Sequence, residues 1–423
     1  MNIRFIYLET YGCSANQNNS EIMRGILVQS GLQFTDNPKI ADILIINTCI
    51  VKEPTENKIK SRINELSKLG KPIIIAGCMP EVRKIKKNNI YSLGISHIKD
   101  IAKLVKRISE ERYSEKEFLE KRKEIKLGNK LNNNKLVGIT QISEGCLGNC
   151  NYCLTKLVKG NLFSYPEDEI LENVEWDIKN GCKEIWLTSQ DNASYGLDSG
   201  TNLVKLLRKI LEIPGKYRIR IGMMNPNHIL PILDELTEVY KDERIYKFLH
   251  LPLQSGSDKI LKSMGRKYTS SQFLNIVSKF RKQIPELILA IDVILAYPGE
   301  TEQDYKETLK IIEQVRPDVM NLTRYWPMSG TRAAILPQLS RKIASQRAAE
   351  VQKLHLRISE ENNRKYLGKQ LEVFVNEQQG TNCLARTGNY VLVVIRSNEK
   401  LLGKKLKVKV KQVFAHYLLA EII

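Results

Sequence analysis

Three cysteines, Cys146, Cys150 and Cys153, fall within eight residues of the stretch EGCLGNCNYC, at spacing CxxxCxxC. Three thiolates this close can turn towards one centre and hold metal. A structural zinc site is normally closed by four ligands, from paired cysteines or added histidines. The chain has five histidines, and none lies near this loop in sequence. The better reading is a 4Fe–4S cluster with three irons held by protein and the fourth open to a bound molecule. Zinc at the same cysteines stands as the alternative.

Cys13, Cys49 and Cys78 are far apart in sequence, yet each ends an apolar, β-rich run: FIYLETYGC, ILIINTC and PIIIAGC. In an open parallel sheet the C-terminal strand ends line one crevice. One such cysteine reads as packing; three at equivalent ends read as a second three-ligand site. Cys182 and Cys383 read as structural.

The elements that must position these thiols follow from periodicity. Ile3 to Glu9, Ala41 to Asn47 and Pro72 to Ala76 are strand-like, and 19–29 and 53–69 have helical spacing, which predicts a small doubly wound α/β sheet. A lysine- and glutamate-rich segment from about Lys103 to Lys126 then reads as a helix plus linker, ending in the polar GNKLNNNK run. Strands at about 136–142, 183–190, 218–224, 247–253, 287–296 and 318–325 alternate with helical stretches at 167–180, 202–212, 227–241, 270–283 and 301–315. Six parallel βα units predict a partial (β/α)6 barrel with its chemistry at the C-terminal strand ends. Polar groups stand at those ends: Gln190, Asp191, Asn225, Gln254, Ser255, Glu300 and Arg324. A helical connector at 340–361 leads to short alternating strands over 363–423, a small all-β barrel. The division is 1–110, a linker at 111–131, a barrel with connector at 132–361, and a β-barrel at 362–423.

Lys and Arg outnumber Asp and Glu by 66 to 47, a formal charge of +19. That field makes a polyanion, nucleic acid, the expected partner. The tail from 363 onwards is the most biased part, with eleven Lys or Arg against four acidic residues. No apolar run approaches the ~20 residues a membrane-spanning helix needs, so no membrane is expected. The opening shows no basic-then-apolar leader, so the expected location is the cytoplasm.

CxxxCxxC after the first strand of a six-unit barrel resembles the radical S-adenosylmethionine enzymes. YGCSANQNNSE, INTCIVKEPTENK, AGCMPE, LTSQDNASYG, RIGMMNP, FLHLPLQSGSDKILKSMGRKY, DVILAYPGETEQDY and the basic TRAM-like tail are similar, in order, to the methylthiotransferases. The resemblance spans nearly the whole chain. TSQD at Thr188 to Asp191, KGNLFSYP at Lys159 to Pro166 and MMNP at Met223 to Pro226 are closest to the archaeal and eukaryotic branch, which acts on threonylcarbamoyladenosine of tRNA.

The resemblance implies two 4Fe–4S clusters and S-adenosylmethionine. Cys146, Cys150 and Cys153 would be catalytic, holding the cluster that generates a 5′-deoxyadenosyl radical; Cys13, Cys49 and Cys78 would hold an auxiliary cluster that carries the inserted sulfur. The reaction would be methylthiolation of carbon 2 of threonylcarbamoyladenosine at position 37 of an anticodon loop, with an electron donor and a sulfur source as further partners. A ribosomal-protein aspartate, another tRNA adenosine, or non-catalytic RNA binding remain alternatives. Gln190, Asp191, Asn225, Gln254, Ser255 and Glu300 could contact S-adenosylmethionine or the base, or serve as loop caps. Arg386, Lys404, Lys405, Lys407, Lys409 and Lys411 are candidates for phosphate contacts. Two positions depart from the pattern: Lys159 stands where relatives usually carry Arg, and Ala296 where they often carry Gly.

Overall fold

In the computed structural model, which describes residues 3–50, 53–83 and 87–423, the chain begins with β1 (Phe5–Thr10), α1 (Ser14–Gln29), β2 (Gln33–Phe34), β3 (Ile43–Thr48), α2 (Glu53–Ser67), β4 (Ile73–Gly77), β5 (Ile90–Leu93) and α3 (Ile101–Ser109). Val51 and Lys52 of the INTCIVKEPTENK stretch lie outside the described residues. The strands form one parallel sheet in the order β2-β1-β3-β4-β5. β3 and β4 are buried at every residue because helices cover both faces. Ile43 and Ile45 pack with Ile22, Leu27, Ile101 and Leu104, while Leu44 and Ile46 pack with Ile59, Ile63 and Leu66. The strand order reverses between β1 and β3, which opens a crevice at their C-terminal ends.

The segment expected as a linker is a packed strap. Leu131 N–H donates to Glu21 O at 2.9 Å, Asn18 Nδ2 donates to Lys126 O at 3.0 Å, and the side chains of Lys126 and Lys130 are fully buried. Lys130 donates to the Ile139 carbonyl at 2.8 Å and pairs with Asp177 at 2.6 Å. Buried ammonium groups of this kind persist only with such partners.

The strap leads into β6 (Val137–Gln141), β7 (Ser143–Glu144), α4 (Thr155–Lys159), β8 (Phe163–Ser164), α5 (Glu167–Lys179), β9 (Glu184–Thr188), α6 (Leu203–Glu212), β10 (Arg218–Ile221), α7 (Pro226–Ile229), α8 (Leu233–Val239), β11 (Phe248–His250), α9 (Asp258–Ser263), α10 (Ser270–Gln283), β12 (Ile288–Leu295), α11 (Glu302–Val315) and β13 (Val319–Arg324). The helix expected over 227–241 is broken into α7, a 3-10 turn and α8, with Pro231 in the turn, where its missing N–H interrupts the ladder. α10 and α11 each open on a capping box, Thr269 with Gln272 and Thr301 with Asp304. β10-β9-β6 and β11-β12-β13 are two parallel half-sheets. One isolated bridge links Ile219 of β10 to Ile245, in the segment that leads into β11, so the two half-sheets follow one another as an open barrel.

α12 (Arg341–Arg364) leads to β14 (Gln370–Gln379), β15 (Asn382–Arg386), β16 (Leu392–Arg396), β17 (Lys405–Val413) and β18 (Leu418–Ile422), a closed barrel in the order β14-β15-β16-β18-β17. Tyr390 and Val391 pack on Tyr246, Phe248, Ile288 and Ala290 at the starts of β11 and β12. The Tyr390 ring lies 4.7 Å from Tyr246 and 5.1 Å from Phe248. Among the described residues no helix is long and apolar enough to cross a membrane.

Lys130 and Asp177 are both fully buried, so Lys130→Met should strand a carboxylate and cost about 3–5 kcal/mol. Urea denaturation of the full chain measures it, and a loss below about 1 kcal/mol would return the strap to the status of a linker.

Candidate functional site

β7 and β8 pair antiparallel, Ser143 with Ser164 and Glu144 with Phe163, and so close the base of the loop that carries Cys146, Cys150 and Cys153. The loop is pinned at its far side as well: Asn151 N–H donates to Met264 O and Asn151 O accepts from Ala333 N–H, both at 2.9 Å. Each sulfur accepts one hydrogen bond. Gly148 N–H donates to Cys146 at 3.2 Å, Arg266 Nη1 to Cys150 at 3.3 Å, and Thr155 N–H to Cys153 at 3.3 Å. Burial pushes the Cys146 thiol up to about 11 and raises that of Cys153. Donors aimed at all three sulfurs are suited to thiolates, which form when metal displaces the proton. A cavity of about 240 Å³ opens beside Cys150, between Asn225, His228 and Arg266.

Cys49 and Cys78 directly follow the C-terminal ends of β3 and β4, and Cys13 follows that of β1 after Tyr11 and Gly12; the three strands are neighbours. Asn16, in the first turn of α1, ties their loops together. Its Nδ2 donates to the carbonyls of Tyr11 and Thr48, both at 2.8 Å, and its Oδ1 is 4.0 Å from the Cys78 sulfur. Gly12 has φ +110°, and a Cβ there would lie 2.7 Å from the Cys49 Cβ. Only glycine allows this approach. Burial pushes the Cys78 thiol up to about 12, opposed by the nearby Lys159 ammonium. Among the described residues no three Cys, His, Asp or Glu side chains converge on a single metal ion. A four-iron cluster does not require that, since each iron takes one thiolate.

The two sets are joined by a buried charge cluster. Lys126 from the strap and Lys159 from the end of α4 both pair with Glu144, Lys159 at 3.1 Å. Besides Glu144 and Lys126, the Cys78 and Cys13 sulfurs lie in the field of Lys159. Leu154 and Val158 of the same helical turn pack into the N-terminal core beside Ile46, Ile50 and Met79.

The polar strand ends divide into two kinds. Gln190 Oε1, Asn225 Oδ1 and Gln254 Oε1 are buried without a hydrogen-bond partner in the protein, as are Gln141 Oε1 and Ser143 Oγ nearby in sequence on the first barrel strand and β7. Such unpaired atoms call for a ligand or water. Asp191 and Ser255 are occupied by the scaffold, and Glu300 is of both kinds, its Oε1 engaged and its Oε2 buried without a partner. Asp191 accepts from Asn225 N–H at 2.9 Å, Ala193 N–H at 3.2 Å and His228 Nδ1 at 2.5 Å. Ser255 accepts from Ser257 N–H at 3.2 Å and meets Thr308 Oγ1 at 3.4 Å. Glu300 accepts from Arg347 at 2.5 Å and from Ala296 N–H at 2.9 Å. Ala296 has φ +58°, a left-handed conformation that glycine adopts more readily.

Lys405, Lys407, Lys409 and Lys411 alternate along the exposed face of β17, with Lys404 beside them and Lys411 paired to Glu421. Arg386 is not part of this ridge. It is half-buried, with its guanidinium 4.5 Å from the Tyr390 ring centre, a ring that also meets Arg220 of β10. Sequence reasoning missed Asn16 and Arg266, although both lie in quoted motifs, YGCSANQNNSE and SMGRKY.

A partial βα barrel with a three-cysteine loop after its first strand defines a radical S-adenosylmethionine enzyme. Models of the Radical SAM superfamily, of the uncharacterized family UPF0004 and of the TRAM domain match residues 140–312, 5–93 and 364–423. A Pyrococcus horikoshii protein named "Probable threonylcarbamoyladenosine tRNA methylthiotransferase" is 42% identical over 424 residues, covering 99% of each chain. The Homo sapiens threonylcarbamoyladenosine tRNA methylthiotransferase is 33% identical over 98% of this chain and 73% of its own. The chain belongs to the threonylcarbamoyladenosine tRNA methylthiotransferase family, whose radical SAM domain implies S-adenosylmethionine and a 4Fe–4S cluster. The fold is similar to that of the radical S-adenosylmethionine methyltransferase TsrM from Kitasatospora setae, with a TM-score of 0.59 at 13% identity over 79% of this chain and 77% of that one. The radical enzyme OxsB matches with a TM-score of 0.55 at 11% identity, over 83% of this chain and 56% of its own.

Asp191→Ala would leave the buried N–H groups of Asn225 and Ala193 unpaired at once. The expected loss is about 2–4 kcal/mol, read by chemical denaturation.

Proposed function

We propose that the chain methylthiolates carbon 2 of threonylcarbamoyladenosine at position 37 of tRNA anticodon loops. One cluster would sit on Cys146, Cys150 and Cys153 and a second on Cys13, Cys49 and Cys78, with two S-adenosylmethionine molecules used per turnover. The observation that carries the reading is the shared junction: Lys159, on the helix that follows the first set, is bonded to Glu144 and lies in the field of Cys78 and Cys13 of the second. An enzyme that needed radical chemistry alone would have no use for a second thiol set there. The names of the relatives support the substrate.

When bound, the clusters and S-adenosylmethionine supply the radical and the sulfur chemistry. The chain's residues bind and orient. Gln190, Asn225 and Gln254 offer unpaired carbonyl oxygens to N–H and hydroxyl groups of S-adenosylmethionine or the base, while Asp191, Ser255 and Glu300 hold the loops that present them. The anticodon loop is single-stranded, so its base can enter the barrel mouth without breaking a duplex. The lysine ridge at 404–411 contacts phosphate, and Arg386 supports the seat of the tail against the barrel. An electron donor and a sulfur source complete the partners, and the division at 110, 131 and 361 assigns these tasks to separate parts of the chain.

Anaerobic reconstitution should give about eight iron per chain, and Cys13→Ala about half of that. Gly12→Ala should lower iron in the same way, because the new methyl displaces Cys49. Full loading at one cluster would overturn the two-site reading. Mass spectrometry of nucleosides from tRNA incubated with the loaded enzyme should show 2-methylthio-threonylcarbamoyladenosine; modification of a ribosomal protein instead would overturn the substrate.

A further inference from the structure

The junction between the cysteine sets holds more cation than its carboxylate balances. The side chains of Lys126, Lys159 and Glu144 are 0%, 5% and 10% exposed, and both ammonium groups close on the one carboxylate, Lys126 on Oε2 and Lys159 on Oε1. Other carboxylates lie in the field of Lys126, but they are engaged elsewhere. Glu124 accepts from Ile98 N–H at 3.0 Å and from Arg122 at 3.2 Å, and Glu81 accepts from Ile95 N–H at 2.8 Å. Lys156, the other lysine of α4, donates to the Cys146 carbonyl at 2.8 Å. Two ammonium groups on one carboxylate leave a net positive charge in a region from which water is excluded, and a buried charge is tolerated only with a counter-charge. After Glu144, the groups in the field of Lys159 are the Cys78 and Cys13 sulfurs, and Val158, the residue before Lys159, packs in one buried cluster with Cys78; these sulfurs become anionic when they bind metal. Lys126 occupies the second oxygen of Glu144, so the carboxylate is not available to Lys159 alone.

We propose that Lys159 is a positioning residue for the iron–sulfur group of Cys13, Cys49 and Cys78: its ammonium compensates the negative charge those three thiolates bring, retaining the group in the crevice and raising its reduction potential. The inference rests on the two-cluster reading. It gives the helix after the CxxxCxxC loop a second task, since the six residues that follow Cys153 deliver a cation to the other site. Local charge and hydrogen bonding are established levers on cluster potential.

The test uses the full chain, reconstituted anaerobically, with iron content and a redox titration followed by electron paramagnetic resonance. Signals are assigned by Cys13→Ala, which removes the N-terminal one, and Cys146→Ala, which removes the loop one. Lys159→Gln should shift the Cys13-dependent signal to lower potential and reduce its iron, leaving the Cys146-dependent signal in the same sample unmoved as the measure of folding. Lys159→Arg should restore both properties. Glu144→Gln removes a negative charge and should shift the same signal the other way, a reversal of sign that a purely structural role would not give. Two wild-type signals with neither moved by Lys159→Gln, or both moved equally, overturn this proposal alone. A wild-type chain with only the Cys146-dependent signal overturns the two-cluster reading and this proposal with it.

Discussion

Glu144 stands where separate parts of the chain meet, and its burial sets the terms for all of them. Burial would push its carboxyl up, but Lys126 and Lys159 hold it below the usual carboxylate range. A buried carboxylate of this kind draws its partners to fixed places, because removing either leaves an uncompensated charge. Lys126 thereby fixes the strap, Lys159 fixes α4, and Glu144 itself fixes the base of the loop through its pairing with Phe163. The N-terminal sheet follows, since Leu154 and Val158 enter its core from the same helical turn. The relative position of the two cysteine sets is therefore a consequence of one acid and two bases.

What was legible in the sequence is what local pattern encodes. The runs ILIINT and IIIAG announce strands covered on both faces, and the cysteines after them inherit their place from the strand ends. The six βα units and the tail barrel follow from the same periodicity. Charge partnerships were not legible, because polarity along the chain does not say which element will supply the partner. GNKLNNNK reads as solvated linker, yet Lys130 finds Asp177 across 47 residues and Asn132 finds the same carboxylate. Arg386 shows the converse. Strand alternation places it on an outward face, and only the packing of the tail shows that Tyr390 covers it against the barrel.

The strand-end loops show why single residue types predicted the site unevenly. Gln190, Asn225 and Gln254 keep an oxygen unpaired, as does Glu300 at Oε2, whereas Asp191 and Ser255 are taken up by backbone amides, a hydroxyl and His228. What decides it is whether a donor lies within reach rather than the residue type, since the Ser143 hydroxyl and one oxygen of Glu300 are left open as well. Ala296 belongs to the same arrangement: its N–H is held by Glu300 while its backbone takes the left-handed conformation.

The tail packs its Tyr390 and Val391 onto Tyr246, Phe248, Ile288 and Ala290, which begin the fourth and fifth barrel strands. These four residues precede Tyr390 by a hundred residues or more. Synthesis runs from the N-terminus, so both thiol sets and all six barrel strands leave the ribosome while this floor is still bare. The barrel's apolar underside is covered only when the segment carrying Tyr390 and Val391 arrives. A chain stopped before residue 390 would carry the six clustered cysteines on a scaffold with an exposed, adhesive base.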